Sequence, residues 1–137
     1  MDIKRHITAL GFVPKNGTNG IYHKIYVDYA IEIDFEKQSI NYGSVITAES
    51  KTTQNFSQPE NFVVLECVDR LLTKEYKPQN IVLEKTWPSG HGTSGRLDIC
   101  VNREDGTPYM LIECKTFGKE YNKELARIRK DGGQQDI

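Results

Sequence analysis

The chain has 137 residues, 27% of them charged, and a net charge of −1, a length that buries one domain's core without disulfide staples. Basic and acidic side chains nearly balance, which excludes a uniformly polyanion-binding surface. No apolar run reaches the ~20 residues of a membrane span, and the N-terminus lacks a signal-peptide apolar stretch. Cys67, Cys100 and Cys114 lie far apart in apolar patterns with no zinc spacing, so they read as reduced, buried cytosolic thiols.

In chain order, Ile3, Ile7 and Leu10 predict a short helix over 3–10, with Gly11 as its stop. Residues 11–20 carry Pro14, Gly17 and Gly20 and read as a loop. From Ile21 to Tyr42 the pattern is an antiparallel meander over about 21–27, 30–35 and 39–42, in which Ile31, Ile33 and Phe35 alternate with Glu32 and Asp34. Residues 43–56 are polar and read as loop. Ser57-Gln58-Pro59-Glu60 has capping-box spacing and opens a helix to about Tyr76. A helical wheel puts Val63, Val64, Cys67, Val68, Leu71 and Leu72 on one face, with Glu66, Asp69, Arg70, Thr73 and Lys74 opposite. Glu60 projects towards the apolar side.

Residues 77–80 turn the chain, and 81–87 read as a strand. Residues 88–95 form a glycine-rich loop that lacks the closing Gly-Lys-Ser/Thr of a phosphate-binding loop. Arg96 to Lys115 then reads as a hairpin about Asp105-Gly106, the type I′ signal. A helix over about 119–130 follows, with Tyr121, Leu125 and Ile128 inward. The last 24 residues carry 6 basic and 4 acidic side chains, against 12 and 15 before them.

The hairpin carries the chemistry. Pairing outward from Glu104 and Thr107 sets Asp98 opposite Glu113, and Lys115 joins the same face two residues on. Leu97, Ile99, Val101, Met110, Ile112 and Cys114 fill the other face. Opposed carboxylates repel unless neutralised, and a hard divalent cation, Mg2+ or Mn2+, does this. The competing reading is an outward face on which Arg96 or Lys115 pairs the acids. A lysine beside metal-held carboxylates can orient a water and offset charge on a phosphorane. Glu60 serves either as a further ligand or water holder, or as the capping-box acid. Lys119, Lys123, Arg127 and Lys130 form a basic stripe that could track DNA phosphates or simply face solvent. His91 reads as an exposed loop histidine, and Glu84 is a reserve candidate.

Glu60 on a helix, Gly95-Arg96-Leu97-Asp98, Ile112-Glu113-Cys114-Lys115 and a helix approaching Gln134 resemble the PD-(D/E)XK nuclease superfamily. More narrowly, they resemble the N-terminal nuclease domain of type I restriction enzyme R subunits and related fused restriction-modification enzymes. The resemblance covers roughly residues 57–135, and Leu97 stands where the family name has proline. It implies an α/β (α+β) fold with a restriction-endonuclease-like mixed sheet flanked by helices, and residues 1–56 as an N-terminal extension of a single domain. By resemblance Asp98 and Glu113 would hold Mg2+, with the Cys114 carbonyl as a further ligand. Lys115 would assist the attacking water, Glu60 would support the site, and Gln134 or Gln135 would match the family glutamine. The expected activity is Mg2+-dependent cleavage of double-stranded DNA in a prokaryotic cytoplasm. Helicase or translocase, methyltransferase or specificity domains would be its partners, and the chain would be the N-terminal part of a larger polypeptide. The alternative is a non-catalytic nuclease-like module that binds DNA or docks a neighbouring domain.

Overall fold

A computed structural model of the chain describes residues 2–88 and 94–115. Helix α1, Ile3–Ala9, forms where the apolar spacing predicts it, and Asp2 caps it by accepting the Arg5 N–H at 3.1 Å. The first sheet has strands β1 (Val13–Pro14), β2 (Ile21–Tyr26), β3 (Tyr29–Asp34) and β4 (Ser39–Asn41), in that order and wholly antiparallel. Its period of two holds: Ile31, Ile33 and Ile40 are buried while their neighbours are not. The loop expected over 11–20 contains the two-residue strand β1.

The second sheet comprises β5 (Thr47–Ala48), β6 (Ile81–Pro88), β7 (Ser94–Asn102) and β8 (Pro108–Ile112), ordered β5-β6-β7-β8. β5 runs parallel to β6 and the other pairs are antiparallel, so this sheet is mixed. The polar segment 43–56 is therefore not simply a loop. It adds an edge strand, and Asn61 fastens it by donating to the carbonyls of Thr52 and Asn55 at 2.9 Å each. Side-chain amides satisfy those backbone acceptors, and a polar sequence offers no apolar period to reveal it.

Helix α2, Glu60–Thr73, reaches both sheets. On one side Asp69 meets Lys24 of β2, and on the other Cys67 meets Cys114. Buried side chains of α1, α2 and both sheets form one apolar cluster, and the fold is α+β with a sheet core. A helix covered on two sides buries more than one stripe, which corrects the single-faced wheel. Phe62, Leu65 and Asp69 are buried along with Val64, Val68, Leu71 and Leu72, whereas Val63 and Cys67 are half-buried. Asp69, expected in the solvent arc, accepts from the Tyr26 hydroxyl at 2.6 Å and the Lys24 ammonium at 2.7 Å. Edge-to-face rings tie the first sheet to α2, with centroids of Tyr22 and Phe35 5.4 Å apart, Phe35 and Phe56 5.5 Å, and Phe56 and Phe62 5.2 Å.

The capping box is also corrected. α2 begins after Pro59 with no side-chain cap, and Ser57 instead bonds Asn55 through its N–H, at 2.8 Å, and its hydroxyl. Proline at this position needs no N–H partner, so the helix starts without the serine.

The hairpin turn differs from expectation while its register does not. Arg103 N–H donates to Thr107 O at 2.8 Å, and Gly106 N–H to Arg103 O at 2.9 Å. Gly106 has φ +87° but Asp105 is not at positive φ, so the turn is a three-residue loop rather than type I′. That loop alone would slip the pairing by one residue. A β-bulge restores it: Asn102 pairs Pro108 and Val101 pairs Met110, leaving Tyr109 as the extra residue. Val101↔Met110, Cys100↔Leu111 and Ile99↔Ile112 then follow in the expected register, and the ladder ends there, one step short of Asp98 and Glu113. The expected helix over 119–130 lies outside the described residues.

Candidate metal and phosphodiester site

The site is built at the end of the β7–β8 ladder, where the pairing stops and the chain passes through Glu113, Cys114 and Lys115. Asp98 Oδ2 accepts the Cys114 N–H at 2.7 Å. A carboxylate on a backbone amide is a charge-assisted bond, and it ties the acid on β7 to the segment that carries Glu113 and Lys115. Lys115 Nζ stands 3.6 Å from Glu113 Oε1, with side chains 27% and 30% exposed. Both side chains are thus partly open to solvent.

Cys114 packs beneath this end, 3% exposed, with its sulfur 3.7 Å from that of Cys67 on α2. Its thiol is pushed far up by the bond to Cys67, then by burial, with the Cys67, Asp98 and Glu60 charges adding to the effect. Cys114 is thus a neutral thiol and offers a cation its backbone carbonyl, not a thiolate. Glu60, the half-buried first residue of α2, lies about two helical turns before Cys67, on the helix that meets Cys114. Sequence separation hid the approach of Cys67 to Cys114, which needed the packing of α2 on the second sheet.

Among the described residues, no three His, Cys, Asp or Glu side chains converge as a ready cation cage. Mg2+ does not require one. It is bound through one or two carboxylates and retains several waters, so Asp98, Glu113 and the Cys114 carbonyl suit it by donor chemistry. The structure brings Asp98, Cys114, Glu113 and Lys115 together and sets Glu60 on the helix end nearby. Gln134, Gln135, His91, Lys119, Lys123, Arg127 and Lys130 lie outside the described residues, and the Arg96 side chain is likewise not described.

Glu84, the reserve candidate, is in β6 and wholly buried, with its backbone at φ +54°. Its carboxylate accepts the Thr52 hydroxyl. Strand alternation alone could single out this acid but not its backbone.

The family model for the type I restriction enzyme R protein N terminus matches residues 59–130, more than half the chain. The match starts at the head of α2 and spans β6, β7 and β8, and it includes Glu60, Asp98, Glu113 and Lys115. No curated protein matches the chain. By residues 59–130, the chain belongs to the family of type I restriction enzyme R protein N termini.

Proposed function

We propose that this chain is a Mg2+-dependent DNA endonuclease domain, hydrolysing phosphodiester bonds of double-stranded DNA within a restriction enzyme. The observation that carries the reading is the grouping of Asp98, Glu113 and Lys115 at one ladder end, tied by the Cys114 N–H bond to Asp98. Family membership supports a role in restriction. Asp98 and Glu113 would hold Mg2+, with the Cys114 carbonyl as a third donor. The ion would act as a Lewis acid towards a phosphate oxygen. Lys115 orients the attacking water and offsets negative charge that grows on the phosphorane oxygens. Glu113 keeps the Lys115 ammonium in place, and Glu60 adds negative charge that favours cation binding. Helicase or translocase, methyltransferase and specificity domains would act alongside this domain.

Supercoiled plasmid incubated with Mg2+ or Mn2+ tests the reading, with the parent chain set against Asp98→Ala and Glu113→Ala. Nicking by the parent that both variants lose is the expected result. Equal nicking by all three proteins would overturn the assignment of these acids. The second reading is a non-catalytic nuclease-like module that binds DNA or docks a neighbouring domain and needs no metal. Titration calorimetry with Mn2+ separates the two: heat that disappears in Asp98→Ala supports the nuclease, and no heat from the parent supports the module.

A further inference from the structure

Glu84 combines three properties that a structural strand residue has no need of together. It is 0% exposed, it is an acid, and it sits in the left-handed backbone region at φ +54° inside an eight-residue strand. That conformation costs a residue with a Cβ about 1–2 kcal/mol, and glycine would adopt it freely. Strained residues of this kind persist where the surroundings hold them and cluster at functional sites.

The surroundings here are specific. Leu83 pairs Ile99 and Lys85 pairs Leu97, so Glu84 and Asp98 occupy the same step of the ladder, the one step between Ile81 and Pro88 that is left unpaired. Asp98 in turn is tied to the segment that carries Glu113 and Lys115, beyond β8, by the Cys114 N–H. β6 is buried on both of its faces from Ile81 to Glu84. Leu83 and Glu84 are both wholly buried, and Lys85 comes out to meet Glu49 at 3.3 Å. The buried Glu84 carboxylate takes the Thr52 hydroxyl, and the Thr52 carbonyl takes the Asn61 amide at 2.9 Å. Asn61 follows Glu60 at the head of α2. A continuous path therefore runs from the strand beside Asp98, through Glu84 and Thr52, to the helix turn that carries Glu60.

We propose that Glu84 is a positioning residue of the cation site, fixing Asp98 across the ladder and locking the Glu60 end of α2 against it. The inference rests on the nuclease reading above. Its side chain holds Thr52, and Thr52 holds the Asn61 turn of α2, so the strand beside Asp98 and the helix end that carries Glu60 are tied together. A supporting acid of this kind governs affinity without touching the ion, since outer-shell partners of metal ligands are worth ~10–100-fold in binding.

The test is Mn2+ titration calorimetry on the 137-residue chain, its Glu84→Gln, Thr52→Val and Asp98→Ala variants, each checked for folding by thermal unfolding. Glu84→Gln keeps the size and an acceptor for Thr52 but removes the charge. It is expected to weaken Mn2+ binding by about tenfold or more in a protein that remains folded. Glu84→Asp, which restores the charge with shorter reach, is expected to recover part of that loss. Thr52→Val leaves every proposed ligand intact and is expected to weaken binding severalfold; it decides the matter should Glu84→Gln fail to fold. Folded variants at Glu84 or Thr52 that bind Mn2+ as tightly as the parent would overturn the inference while leaving the site intact. A parent that binds no Mn2+, or an Asp98→Ala variant that binds it equally well, would overturn the site reading and this inference with it.

Discussion

Replacing Asp69 by alanine tests the packing of α2 against the first sheet. The side chain is 9% exposed and accepts two bonds, from the Tyr26 hydroxyl at 2.6 Å and the Lys24 ammonium at 2.7 Å. Breaking a buried pair by removing one partner costs about 3–5 kcal/mol. Two features lower that here. Lys24 is 23% exposed, so water reaches it, and it retains the Leu10 carbonyl at 2.6 Å. The Tyr26 hydroxyl has no such second bond and loses about 1–1.5 kcal/mol. With the Lys24 part reduced to about 1.5–2 kcal/mol, the sum is about 3 kcal/mol, which for a domain of this size lowers Tm by roughly 10 °C. Asp69→Asn keeps an acceptor of the same shape and should cost about half as much. Urea unfolding followed by circular dichroism, extrapolated linearly, measures both variants, and the slope should match the parent. A loss below about 1 kcal/mol for Asp69→Ala is what an exposed ion pair would show, and it would refute the buried network.

Two further outcomes follow from the same sheet. Burial first, then the bond to Asp69 and its charge, push the Tyr26 phenol well above its ordinary value. The folded state thus keeps a proton that the unfolded chain loses near pH 10, so this contribution is complete below pH ~10 and is lost as pH rises beyond it. Tyr26→Phe should flatten the decline in stability above that pH, measured as urea midpoints, whereas an unchanged slope would show that Tyr26 does not contribute. Val27, 92% exposed in the β2–β3 turn at φ +56°, holds a β-branched side chain in a conformation that asparagine tolerates. Val27→Asn should therefore stabilise by about 0.5–1 kcal/mol, and a lower unfolding midpoint would contradict the strain.

Local patterns made much of both sheets legible. The 3.6 period marked α1 and α2, the period of two marked the meander, and summing positions across the turn placed Asp98 against Glu113. The register leading up to it, as far as Ile99↔Ile112, holds despite the different turn, because the extra residue in the loop is offset by the bulge at Tyr109. The hydrophobic face, which a slip of one residue would turn to solvent, fixes register more firmly than any turn type does.

Contacts between elements had no such signal. Asp69 reads as a solvent residue on a wheel because a wheel assumes one covered face, and only the placement of α2 against both sheets makes it internal. Residues 43–56 are polar in sequence, yet Asn61 and a two-residue parallel strand order them. Ser57 and Glu60 have capping-box spacing, but Ser57 finds Asn55 first.

The amino-acid sequence by itself determined the acids and lysine of the candidate site and the order of the strands that carry them, since both follow from spacing along one stretch of chain. Tertiary structure decided what stands behind them: the Cys114 N–H on Asp98, the Cys67 sulfur under Cys114, and the buried Glu84 across the ladder, turned by a left-handed backbone. Those depend on which surfaces are desolvated when a helix closes on a sheet, and desolvation is a property of the packed molecule rather than of any local run of residues.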